Sequence, residues 1–138
     1  REEGIPALAL MEIDGFSGLF SIYGASTVNI ILFETAKLIS RICGESGLVC
    51  RFSDESFAVF FPGSHSDEAR ACCEAVVRKI SENSIVTPDG GFTITVSVGL
   101  YLADPPLLQA GRNENSLLAG AEASLSRARS AGGNRVES

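Results

Sequence analysis

Hydrophobic and polar positions along the 138-residue chain follow two periods, and the elements fall where one gives way to the other. Residues 7–14 (ALALMEID) alternate small and large apolar residues and end in acid, which predicts a buried strand with Leu8, Leu10, Glu12 and Asp14 on one face. Gly15-Phe16-Ser17-Gly18 interrupts that pattern. A helical period then runs to about Cys43, with Ser26 or Thr27 as its cap and Val28, Ile31, Leu32, Thr35, Leu38, Ile39 and Ile42 as its inward stripe. Gly44 and Gly47 close that helix.

Strand patterns at 48–52 and 57–61 follow, separated by the four residues 53–56, which is the length of a hairpin connection. After Pro62-Gly63, Ser66 or Asp67 caps a second helix to about Glu82, with Ala69, Cys72, Cys73, Val76, Val77 and Ile80 inward. Pro88-Asp89-Gly90-Gly91 reads as a turn, 92–102 as a cleanly alternating strand, and 103–115 as a loop holding Pro105 and Pro106. Residues 116–131 form a third helical pattern stopped by Gly132-Gly133, and 134–137 a last short strand. Helices between strands require crossovers, while a hairpin forces antiparallel pairing. The predicted fold is therefore a mixed α/β (α+β) sheet with helices packed on it.

Composition narrows the function classes. The chain is long enough for one domain and one core. Its net charge of −6 argues against a basic surface for nucleic acid, although a local cationic pocket is compatible with it. No apolar run reads as the roughly 18 residues of a membrane span, and Arg1-Glu2-Glu3-Gly4 lacks the basic opening of a signal peptide. The four cysteines have no metal spacing and read as reduced thiols of a cytoplasmic domain. His65 reads as a solvated loop residue. The chain starts without Met, so it is expected to be a single domain, 1–138, cut from a longer multidomain protein.

Candidate chemistry gathers where acids end strands. Glu12 and Asp14 close the first strand and Asp54 and Glu55 sit at the hairpin tip; neighbouring strands would bring four carboxylates to one end of the sheet. Such clusters hold Mg²⁺, with phosphate oxygens completing its shell, but strand ends and turn tips are also where solvated acids ordinarily go. Spacing leaves both readings open.

Four segments carry a family resemblance. Glu12-Ile13-Asp14-Gly15-Phe16 with Tyr23-Gly24 is similar to D-x-D-x-F-K-x-I-N-D-x-x-G-H-x-x-G-D. Residues 51–63 (RFSDESFAVFFPG) are similar to R-Y-G-G-D-E-F-A-V-L-L-P-G, residues 95–99 to T-x-S-I-G, and residues 128–136 to A-K-x-x-G-R-N-x-V. In that order and at those intervals they resemble the GGDEF, or diguanylate cyclase-like, domain, with the signature here reading Ser53-Asp54-Glu55-Ser56-Phe57. The resemblance implies a five-stranded mixed sheet akin to nucleotide cyclases. It also implies a reaction in which two domains, each holding one GTP·Mg²⁺ face to face, form cyclic di-GMP.

Transferred position by position, the resemblance places metal ligation on Glu12, the Ile13 backbone and Glu55, and phosphate contacts on the backbone of Gly15, Phe16 and Ser17 and on Arg129. It also marks what is missing. The required fourth-letter glutamate is Ser56, so no catalytic residue is assigned; the signature glycines are Ser53 and Asp54; the guanine-reading pair is Phe20 and Asn29; the lysine after the phenylalanine is Ser17; and a phosphate-binding arginine is Gly133. The R-x-x-D inhibition motif is replaced by Gly44-Glu45-Ser46-Gly47. The expectation is a catalytically inactive GGDEF domain serving as a regulatory or interaction module, with three conceivable partners: a second copy, an upstream sensor, or a downstream effector domain of the same polypeptide. The alternative is weak GTP binding with Mg²⁺ but without turnover, and a divergent active cyclase ranks below it. Without nucleotide no cofactor is expected.

Overall fold

The computed structural model describes residues 5–63, 66–103 and 113–138. Strands β1 (Ala7–Ile13), β2 (Leu48–Ser53), β3 (Ser56–Phe61), β6 (Val96–Leu102) and β7 (Arg135–Glu137) form one sheet in the order β2-β3-β1-β6-β7. Every pairing is antiparallel except β6 with β7, so the sheet is mixed, with the β2–β3 hairpin at one side and β2 its outer edge. The helices are α1 (Phe16–Cys43), α2 (Ser66–Glu82) and α3 (Asn113–Ser130).

The pleat of β1 sorts the layers. Ala9, Met11 and Ile13 point into the main core with Phe57, Val59, Phe61, Val96, Val98 and Leu100, where α1 supplies Val28, Ile31 and Ile39 and α2 supplies Ala69, Cys73, Val76 and Ile80. Leu8 and Leu10 point the other way, onto Ala121, Leu118 and Leu125 of α3. Phe57 and Phe61 are core residues, whereas Phe60 is half-buried. Burying each large side chain fully contributes about 1.5–3 kcal/mol, so the two-faced strand is the fold's main organiser.

Three sequence expectations change. Helical structure already begins at Phe16, so the glycines at 15–18 start a helical segment instead of breaking the chain, while the segment expected from near Ser26 to Cys43 follows Gly24. Gly24 (φ 82°, ψ −176°) kinks α1, a conformation that glycine alone adopts without strain. Thr27 is no cap; it is buried and donates its hydroxyl to Asp89. The strand expected over 92–102 is two strands: β5 (Gly90–Phe92) turns back on β4 (Ile85–Thr87) as a separate hairpin, and β6 starts at Val96. That small hairpin braces the kink, with Phe92 packing edge-on against Tyr23 at 4.7 Å between ring centroids. By length and composition alone helix α1 could cross a membrane; here its buried residues belong to the main core. The His65 expectation and most of the 103–115 loop lie outside the described residues, and α3 takes over from Asn113.

The thiols are all free. Burial, with Cys72 alongside, pushes the Cys43 thiol up to about 12, and burial likewise pushes Cys73 up, while Cys50 is exposed on β2. Because the thiolate is the nucleophile, a disulfide reagent at pH 8 should label Cys50 rapidly and Cys43 and Cys73 roughly 100-fold or more slowly. Cys50→Ser should remove the fastest phase and leave that of the half-buried Cys72; a fastest phase unchanged by the substitution would contradict the placement of β2.

Candidate functional site

The site lies where β1 ends, α1 begins and the β2–β3 hairpin turns. Gly15 (φ 69°) reverses the chain between β1 and α1, and no side chain caps the helix, so its first amides have neither an intrahelical acceptor nor a capping side chain. The Ile13 amide donates to the Glu55 carbonyl at 3.2 Å and Glu12 lies opposite Ser56, so hairpin tip and strand end are locked together. Arg51 holds the tip's shape: its Nε donates to the Ser53 carbonyl at 2.7 Å and its Nη2 to the Asp54 carbonyl at 2.8 Å.

Two adjoining cavities occupy this corner, sharing Phe16, Ser17 and Glu55. The first, about 390 Å³, is lined by Glu12, Ile13, Asp14, Gly15, Arg129, Gly132 and Gly133 as well. The second, about 450 Å³, adds Phe20, Ser21, Val28, Asn29, Leu32, Arg51 and Asp54. All ten residues expected from sequence, Glu12, Ile13, Gly15, Phe16, Ser17, Phe20, Asn29, Asp54, Glu55 and Arg129, thus line one two-lobed cleft.

The four carboxylates do not act alike. Glu12, largely buried, pairs with the Arg129 Nε at 3.1 Å. Burial raises its pKa; Arg129 opposes that rise, and the neighbouring carboxylates of Glu55 and Asp14 add to it. Glu12 and Glu55 therefore crowd each other, the condition a divalent cation relieves. Asp54 sits in the larger lobe. Asp14 is otherwise engaged: its Oδ2 accepts from the Thr95 hydroxyl at 2.6 Å and the Asn134 amide at 3.0 Å, and its Oδ1 from the Ser97 hydroxyl at 2.6 Å. Gly133 (φ 75°) packs so close that a β-carbon there would lie 3.0 Å from Oδ2. Asp14 is a clasp joining β1, β6 and the turn into β7, a role its motif position did not reveal. Among the described residues no group of three or more metal-type side chains converges, so protein ligation would rest on Glu12 and Glu55.

Ser56 is buried, and its hydroxyl lies 2.5 Å from that of Ser53. Two hydroxyls that satisfy each other supply neither a base nor a negative charge.

A raised Glu12 pKa carries a sign. The carboxyl contributes most stability when protonated, below its ordinary value near 4.5, and loses that contribution as pH rises through its folded value. Glu12→Gln should therefore raise the melting temperature at pH 7.5 and lose that advantage near pH 4. A variant less stable than wild type at pH 7.5 would show instead that the Arg129 pair dominates.

Over residues 2–135 the chain matches the family described as diguanylate cyclase, GGDEF domain, and it belongs to that family. It is 25% identical over 130 residues to diguanylate cyclase A of Treponema denticola, covering 94% of this chain and 34% of that protein. It is 27% identical over 127 residues to the probable diguanylate cyclase DgcF of Escherichia coli K12, covering 92% and 40%. The chain thus spans about a third to two-fifths of the curated relatives it matches. The active GGEEF domain of a diguanylate cyclase from Vibrio cholerae superposes with a TM-score of 0.85 at 16% identity, over 97% of this chain and 82% of that one. At that identity the likeness is one of fold.

Proposed function

We propose that this is a catalytically inactive GGDEF domain acting as a regulatory or interaction module in bacterial cyclic di-GMP-type signalling. The observation that carries the reading is Ser56, buried against Ser53 where the family's signature has its glutamate. Losing one transition-state electrostatic contact commonly costs on the order of 10²–10³ in rate. Ser17 in place of lysine and Gly133 in place of arginine remove two further charges from the same cleft. As a cytoplasmic module it would relay a signal to a second copy, to a sensor domain upstream or to an effector domain downstream. Restoring only the tip (Ser53→Gly, Asp54→Gly, Ser56→Glu) should leave cyclic di-GMP formation from GTP undetectable, because the other charges stay absent. Product from that triple variant would trace the inactivity to the tip alone.

A second reading, nucleotide binding without turnover, is favoured by the two-lobed cleft: one lobe combines Arg129 and the α1 amides with two acids, and the other sets Phe16, Phe20, Val28 and Leu32 beside polar groups such as Asn29 and Asp54. Mg²⁺ fits the donor set, two crowded hard-oxygen carboxylates, with Glu12 and Glu55 as its holders. When bound, the ion would neutralise phosphate charge and relieve the repulsion between those carboxylates. Arg129 would hold phosphate oxygens, and the Gly15–Ser17 amides would orient them.

A further inference from the structure

Three of the four thiols meet where α1 ends against α2. Cys43, the last residue of α1, is completely buried and so is Cys73 of α2, while Cys72 beside it is half-buried. The Cys43 and Cys72 thiols are hydrogen-bonded to each other, whereas Cys73 interacts with both without such a bond. The same corner is tied nearby, where the Ser46 hydroxyl donates to Glu68 Oε2 at 3.2 Å. Consecutive residues of a helix do not face each other, so the facing thiols are the pair across the two helices and not the adjacent pair on α2.

We propose that Cys72 and Cys43 form an oxidation-sensitive pair in which a low-molecular-weight disulfide enters at Cys72 and Cys43 resolves it. The Cys72 thiolate attacks one sulfur of the reagent and expels one thiolate, leaving a mixed disulfide. Cys43 then gives up its proton and attacks the Cys72 sulfur, which expels the second thiolate. The cysteine pair is oxidised by two electrons, its two protons pass to the leaving thiolates, and the reagent is reduced to two thiols. Burial shields Cys43 from reagents in solution, but Cys72 is already in contact with it. The two sulfurs have only about 2 Å to close, and held proximity replaces high concentration. Burial is the largest cause of the raised Cys43 pKa; the Cys72 thiol supplies the remainder, which the mixed disulfide removes. The bond closes residues 43–72 into one loop, and that loop contains the whole β2–β3 hairpin whose tip lines the cleft. Oxidation thus ties together the two ends of the segment that carries the hairpin.

The domain with Cys50→Ser, which removes the exposed thiol, is equilibrated with glutathione disulfide, alkylated, digested and analysed by mass spectrometry. The expected product is a Cys43–Cys72 linked peptide free of glutathione. Adding Cys43→Ala should instead leave glutathione on Cys72, and adding Cys72→Ser should give neither product. Linkage should raise the melting temperature by about 5 °C or more, reversibly with dithiothreitol, and slow amide exchange in β2. The linked peptide is read without altering either member of the pair, so it decides the matter even where Cys43→Ala destabilises the core. A glutathione adduct persisting on Cys72 with Cys43 present, a link through Cys73, or three thiols still reduced overturns the proposal.

Discussion

Replacing Gly99 with alanine is expected to lower the melting temperature by about 10 °C or more, the loss of roughly 3 kcal/mol or above. The reason is backbone, not side-chain, crowding. A β-carbon at Gly99 would lie 2.2 Å from the Leu125 nitrogen, 2.4 Å from the Ala121 carbonyl oxygen and 2.7 Å from the Leu125 α-carbon. Helix α3 is therefore seated directly on β6, and no rotamer can make room. On the facing surface Gly120 is equally tight, its β-carbon falling 2.4 Å from the Tyr101 ring. The helix must lift off the sheet, opening Leu10, Ala58 and Ala121 to water and shifting Arg129 away from Glu12. Thermal melting followed by circular dichroism measures this. A Gly99→Ala protein melting within 2–3 °C of wild type, less than about 1 kcal/mol, would mean that α3 does not approach so closely.

Asp14→Ala should cost about 3 kcal/mol, and Asp14→Asn clearly less. The alanine removes the acceptor of three hydrogen bonds at once and leaves the buried Ser97 hydroxyl without its partner. It also frees the turn into β7, where Gly132, Gly133 and Asn134 all hold positive φ, so the loss should extend to β7 pairing. Hydrogen exchange provides the readout: the amides of 134–137 should exchange faster in Asp14→Ala while those of β2 and β3 are little changed. Uniform loss of protection would make Asp14 an ordinary core contributor instead of a clasp.

The contrast between Asp14 and its neighbours shows what the sequence made legible. Each cleft residue belongs to a short local motif, so Glu12, Phe16, Glu55 and Arg129 could be placed in order before any fold was known, and the topology then brought them together. Asp14's partners lie 81, 83 and 120 residues away, and no local spacing announces such contacts. Elements were legible where one period ran uninterrupted, as in β1, β3 and α2. They were misread at glycines. Gly15 and Gly18 look like breakers but flank a helix start, and the break falls instead at Gly24, whose non-helical backbone divides α1. The alternation of 92–102 persisted through a real break because Phe92 and Ile94 pack against the same core as Val96.

The bend of α1 shapes the larger lobe. Phe16, Ser17 and Phe20 precede the kink and Val28, Asn29 and Leu32 follow it, so the larger lobe lies in its angle. The brace from β4–β5, through Tyr23–Phe92 and Thr27–Asp89, fixes that angle at a distance from the carboxylates.

Inactivity is the central claim, and turnover tests it most directly. The wild-type domain is incubated with millimolar GTP and Mg²⁺, at protein concentrations high enough for copies to meet, and cyclic di-GMP is quantified by mass spectrometry beside a Glu55→Ala control. Equal, background-level product in both is the predicted result. Cyclic di-GMP that accumulates with wild type and disappears with Glu55→Ala would contradict it.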